Sequence, residues 1–250
     1  MVDESFKNIL NPSHIEFVAK VAHDLKAPLN AIVGFSSMLQ NDLTGLEENQ
    51  FKQLQLIYQS ARKLEDRINS ILEFINMVAR KTKVEDEWID IKAFLGFEIE
   101  QLQDSARQQG CDLVLKVQKD LLEVFVKPKL FSRVVHELLT NAINNTKNGT
   151  VTVEALGDSI PDDDGYRLEI AVLDTGSGLS EVQMGKISQS LAAQDDDAMQ
   201  RFAGLGLGLG LARRAAWDLG CKLKVQPNNN HQSGACFTFV MDLDNKEIRK

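Results

Sequence analysis

The sequence predicts two parts: an α-helical hairpin that pairs with a second copy into a four-helix bundle, then an α/β sandwich. Three observations carry that expectation. Apolar and small residues alternate three and four apart in two long stripes between Ile15 and Val78, the mark of packed helices. A charged run, KTKVEDE at residues 81–87, then ends the pattern. Beyond it, short alternating apolar runs take turns with helical stripes, as in helices layered on a sheet.

The elements follow in order. Asn11 or Ser13 can cap a first helix that extends to Asn41. Its seam is Ile15, Val18, Ala22, Leu25, Leu29, Ile32 and Leu39. His23, beside Asp24, lies one step, about 100° round, from Ala22, which puts it on the flank of the seam. Pro28 removes a backbone donor one turn later, a defect that costs about 3 kcal/mol in a helix and should bend it. Residues 42–48, DLTGLEE, form a connection around Gly45. A second helix over residues 47–81 carries Leu54, Ile57, Ala61, Leu64, Ile68, Ile71, Ile75 and Val78. Two stripes joined by a short loop make an antiparallel hairpin. One hairpin cannot cover both seams, so a homodimer through residues 13–80 is expected. The boundary separates residues 1–82 from residues 88–245.

In the second part, residues 88–91 suggest a short strand and residues 93–109 a helix closed by Gly110. Strands are expected at residues 112–118 and 123–126, and a helix from Pro128 or Lys129 to Asn145. Residues 151–156 and 167–173 are the clearest strands, with a turn over 159–165. Residues 180–203 form a long polar stretch, expected as a lid or mobile loop. A glycine-led helix over 204–218 and strands over 222–226 and 235–242 complete one mixed sheet.

Composition narrows the function. A net charge of −8 argues against wholesale binding of nucleic acid or anionic membrane. The three cysteines, Cys111, Cys221 and Cys236, are far apart and lack metal-ligand spacing, which suits a reducing cytoplasm. No apolar run is long enough to span a bilayer and no secretory signal opens the chain, so no membrane contact is expected within it.

Three patterns in the second part carry chemistry. In FSRVVHELLTNAINN, Glu137, Asn141 and Asn144 or Asn145 share one helix face, opposite Val134, Val135, Leu138, Leu139, Ala142 and Ile143. Such a face can hold a hydrated divalent ion and a phosphate oxygen, or it can simply be solvated. In LDTGSGL, Asp174 ends a strand, and Gly176 and Gly178 follow. A carboxylate there can accept from an exocyclic amine while glycines let a flat base approach; an ordinary turn is the alternative. In GLGLGLGL, residues 204–211, alternate glycines suit a loop whose amides converge on an anion at a helix amino end. It lacks the spacing of a dinucleotide-binding loop and the lysine of a Walker loop.

In this order, the patterns resemble a known family. HDLKAPLN is similar to the histidine box of sensor histidine kinases, ELLTNAINNT to their asparagine box, and DTGSGL and GLGLGLGLA to their two glycine boxes. The resemblance implies a dimerising hairpin phosphorylated on His23, then an ATP-binding sandwich of the gyrase, Hsp90 and histidine-kinase type. It implies catalytic roles for His23, Asp24 and Glu137, with Asn141 on Mg²⁺ and Asp174 on the adenine amine. Asn144, Asn145, Gly176 and Gly178 would line the nucleotide site, and Gly206, Leu207, Gly208, Leu209 and Gly210 would wrap the phosphates. ATP and Mg²⁺ are the implied cofactors, and the receiver domain of a response regulator is the implied partner.

Besides Glu137, an acceptable variant at a position that is often Asn, the chain departs from that family in four places. Ala27 stands where phosphatase-competent relatives usually carry Thr or Asn. Asn144 stands where a lysine is frequent, and Leu207 where Thr or Ser is common. The phenylalanine-rich lid motif is reduced to KISQSL, residues 186–191. Two other readings therefore stand beside the kinase: a degenerate transmitter that only binds nucleotide or regulator, and an ATPase or serine kinase of the same nucleotide fold.

Overall fold

The computed structural model describes residues 12–41, 48–78, 85–160, 165–192, 207–229, 231 and 233–249. The chain divides into two compact units, Met1–Lys83 and Val84–Lys250.

The first unit is a pair of packed helices, α1 (Pro12–Asn41) and α2 (Glu48–Val78). A 30-residue helix is about 45 Å long, and a six-residue connection reaches about 20 Å, so the two must run antiparallel. Ala22 and Leu29 of α1 and Ala61 and Ile68 of α2 are buried together, with Val33 and Leu72 against them. Other seam residues, Leu25, Ile32, Leu39, Ile57 and Leu64, remain exposed on the single hairpin. Pro28 sits inside α1, where the carbonyl of Asp24 loses its usual donor four residues on.

The second unit is built on a five-stranded sheet of order β2-β4-β5-β7-β6. The strands are β2 (Asp112–Val117), β4 (Thr150–Ser159), β5 (Gly165–Asp174), β6 (Lys222–Pro227) and β7 (Ala235–Asp244). Only the β2–β4 pair is parallel; the others are antiparallel, so the sheet is mixed as expected. One face alternates Val151, Val153 and Ala155 with Leu168, Ile170 and Val172 and with Phe237, Phe239 and Met241, all buried. The covering layer is α3 (Ile91–Gln109), α4 (Pro128–Asn145) and α6 (Leu207–Asp218), with α4 packed on both neighbours. Phe131 of α4 is the keystone of that layer: its ring meets Phe94 at 5.2 Å and Phe239 at 5.3 Å, edge to face in both cases.

Three departures from expectation have local causes. Ile91 belongs to α3 rather than to a strand, because the Asp90 carboxylate accepts from the Ala93 N–H at 2.8 Å and caps the helix. The lid stretch contains a helix, α5 (Glu181–Ala192), packed near β6; residues 193–206 of that stretch lie outside the described residues. Its start is a capping box in S-E-V-Q: the Gln183 side chain accepts from the Ser180 N–H at 2.9 Å, and the Gln183 N–H donates to Ser180 Oγ at 3.3 Å. Finally, β1 (Glu87–Ile89), β3 (Glu123–Val126) and β8 (Ile248–Arg249) form a separate three-stranded sheet. Arg249 closes it by donating to Glu123 at 2.6 Å and lying 4.4 Å above the ring of Trp88.

Candidate nucleotide site

The site of the second unit gathers along α4. That helix buries Phe131, Val134, Val135, Leu138, Leu139, Ala142 and Ile143, which turns the opposite row outward. Glu137 and Asn141 are one turn apart in that row and partly exposed; Asn144 and Asn145 are exposed at its end. Arg133, one turn earlier, lies 3.2 Å from the Glu137 carboxylate. Asn145 donates its side-chain N–H to the Asn141 carbonyl at 2.7 Å and, more weakly, to Asn141 Oδ1 at 3.3 Å. Asn145 therefore orients Asn141 in this structure. Glu137 and Asn141 offer hard oxygen donors on one face, a set that fits Mg²⁺.

Two other segments meet α4 through glycines. At Gly176 an added Cβ would collide with the backbone carbonyl of Asn145, so the loop after β5 lies directly on the end of α4. At Gly208 an added Cβ would collide with the Glu137 carboxylate. The glycine-led helix expected over 204–218 is present as α6, but Gly208, Leu209 and Gly210 stand in its first turn rather than in a loop ahead of it. Leu209 and Leu211 are buried, and this packing holds the turn helical despite its glycines. The first four N–H groups of α6 are those a helix leaves without internal acceptors, at its positive end. Gly206 and the Leu207 side chain lie outside the described residues.

Asp174 ends β5 at 3% exposure. Its Oδ1 accepts from the Gly176 N–H at 2.9 Å. Burial pushes its pKa up, while hydrogen bonds from the Gly176 and Ala235 amides pull it down, and burial wins. A buried carboxylate with free lone pairs beside two glycines can accept from an amine on a flat base. Asn228, in the turn between β6 and β7, was not expected at this site, yet it donates to the main-chain carbonyl of Asp174 at 2.8 Å. His23 and Asp24 stand in α1 of the other unit, and their side chains lie outside the described residues.

Comparison with known proteins defines the class. The model of histidine kinase-, DNA gyrase B- and HSP90-like ATPases matches residues 126–245. The His Kinase A (phospho-acceptor) domain matches residues 13–77. The chain is 27% identical over 231 residues to the signal transduction histidine-protein kinase BarA of Escherichia coli K12, covering 92% of this chain and 24% of that one. It is 30% identical over 227 residues to the sensor histidine kinase GacS of Pseudomonas protegens, covering 90% and 24%. The crystal structure of full-length ShkA in complex with AMPPNP superposes with a TM-score of 0.65 at 24% identity, covering 92% of this chain and 46% of that one, and supports the fold. The chain spans about a quarter of the length of the curated relatives it matches.

Phospho-acceptor hairpin followed by ATPase sandwich is the order of a transmitter, and the chain belongs to the sensor histidine kinases. ATP is the nucleotide that such an ATPase domain uses. Among the described residues, no helix is long and apolar enough to cross a membrane.

Proposed function

We propose that this chain is an ATP-dependent protein histidine kinase that phosphorylates His23 and passes the phosphoryl group to an aspartate of a response-regulator receiver domain. The supporting observation is the convergence of Asp174, the Asn145–Gly176 contact and the Glu137–Gly208 contact along α4. A base-reading carboxylate and an anion-binding helix end thereby share one floor. In this reading Asp174 accepts from the adenine 6-amino group. Gly176 and Gly178 let the base lie against backbone. The amides of α6 from Leu207 to Gly210, with Gly206 before them, hold the phosphates.

Asn141 would hold Mg²⁺, with Glu137 beside it and Asn144 and Asn145 at the rim. The ion supplies charge neutralisation on the phosphates. A neutral ring nitrogen of His23 attacks the γ-phosphorus, the bond to the β,γ-bridging oxygen breaks, and ADP leaves. Asp24 takes up the proton that the imidazole sheds. An aspartate carboxylate of the receiver then attacks the phosphorus, the N–P bond breaks, and the proton held by Asp24 returns to the ring, so His23 leaves as neutral imidazole. The working unit is a homodimer through residues 13–80, since the apolar residues left exposed on one hairpin match a second copy; the cytoplasm is the location that goes with a transmitter.

The test is His23→Ala. That variant should form no phosphoprotein from γ-labelled ATP, while calorimetry finds ATP binding unchanged. Undiminished labelling would end the proposal.

A further inference from the structure

We infer that Asn228, in the turn between β6 and β7, is a positioning residue that aims the Asp174 carboxylate and so sets discrimination for the purine 6-amino group. The inference rests on the assignment of Asp174 to the base. The β5–β7 ladder ends at the pair Leu173–Cys236. One residue further, Asp174 still pairs with Val151 of β4, but its carbonyl, opposite the Thr175 N–H that bonds β4, faces the edge where the β7 ladder has ended, at a buried position. Asn228, 4% exposed and 54 residues away in sequence, donates its side-chain N–H to that carbonyl at 2.8 Å.

The other end of the same peptide group is held as well: the Thr175 N–H donates to the Thr150 carbonyl at 3.1 Å. A planar peptide fixed at both its oxygen and its N–H cannot rotate. The preceding residue, Leu173, is held in the sheet against Thr152 and Cys236, so the backbone on both sides of Asp174 is fixed and with it the direction of the Cα–Cβ bond. The turn is built for this approach. The Asn228 N–H donates to the Gly234 carbonyl at 3.2 Å. Gly234 has φ +120°, and an added Cβ there would overlap the Asp174 carbonyl oxygen. Gly178, φ +71°, rests on the same turn, with an added Cβ 3.1 Å from the Gly234 nitrogen. Asn228 itself lies behind the carboxylate and touches no part of the base in this reading.

The experiment compares binding of ATP with binding of purine riboside triphosphate, which lacks the 6-amino group, to the full chain. The variants are Asn228→Ala, the isosteric Asn228→Asp, Asp174→Asn and Asp174→Asn/Asn228→Ala, each measured below its thermal midpoint. Removing one buried donor should cut the preference for ATP about tenfold in both Asn228 variants and leave binding of the analogue unchanged. In the Asp174→Asn background, Asn228→Ala should cause no further loss of preference. Retention of the wild-type preference in both folded Asn228 variants overturns the inference, as does an equal loss for the two nucleotides. If the wild-type protein and Asp174→Asn show the same preference, the base assignment falls, and this inference with it.

Discussion

At Asp174, burial and backbone hydrogen bonding oppose each other, and burial prevails, so its pKa is raised in the folded state. The consequence for stability has a definite sign. The folded protein binds this proton more tightly than the unfolded chain does. The penalty for keeping the carboxylate ionised is therefore fully present at neutral pH, and it is relieved as pH falls through the raised folded value. Asp174→Asn removes this titration. Denaturant unfolding of the two proteins from pH 7 downwards should show the wild type gaining relative to the variant; a constant difference would contradict the assignment. A second residue, Ala27, bears on the direction of the proposed transfer to a regulator. A methyl group one turn after His23 cannot accept a hydrogen bond from a water attacking an aspartyl phosphate. The chain should therefore load its regulator without unloading it, and Ala27→Thr or Ala27→Asn should speed regulator dephosphorylation severalfold with little change in autophosphorylation. The assay is decay of purified phospho-regulator with this chain and ADP. Severalfold faster decay with the unmodified protein defeats the prediction.

Helices α4 and α6 make a sharper test at the scale of elements, because the same substitution should act oppositely at two glycines. Gly208→Ala meets only the movable end of Glu137 and places a better helix former in α6. The variant should keep its stability or gain up to about 1 kcal/mol, yet lose phosphotransfer as Glu137 is displaced. Gly176→Ala meets the rigid carbonyl of Asn145 and should lose roughly 1–3 kcal/mol. Equal effects in thermal and kinetic assays would mean that α4 is not the common floor. The same elements mark what was legible in the sequence. The α4 pattern was, since its buried row is strictly periodic. So was Asp174, at the end of a clean alternation followed by glycines. Helix α6 was legible as a glycine-led helix, but the helical state of Gly208 and Gly210 was not, because buried leucines override glycine's poor helix propensity. Helix α5 hides in a polar stretch, although its S-E-V-Q cap was readable. Strand β8 spans two residues, too short for any period to show. Asn228 sits in a run of three asparagines, and composition cannot tell which of them is buried against Asp174.

For the whole molecule, the hairpin seam is the link between sequence and assembly. Among the described residues, Ala22, Leu29, Ala61 and Ile68 are buried together by the two helices, while Leu25, Ile32, Leu39, Ile57 and Leu64 are left in solvent by one hairpin. These side chains are already about half covered, so burying the rest of each is worth roughly half of the 1.5–3 kcal/mol of full burial, about 1 kcal/mol. Ile32→Asp with Leu64→Asp should therefore turn a micromolar dimer into monomers by sedimentation, and a dimer that survives would place the interface elsewhere. The central claim, that the phosphoryl group ends on an imidazole nitrogen, is tested most directly by the chemistry of the product. The protein is incubated with γ-labelled ATP and Mg²⁺, freed of nucleotide, and divided between acid and alkali. A phosphorus–nitrogen bond predicts label lost in acid and kept in alkali. Label that survives acid, as a serine phosphate does, would contradict the account.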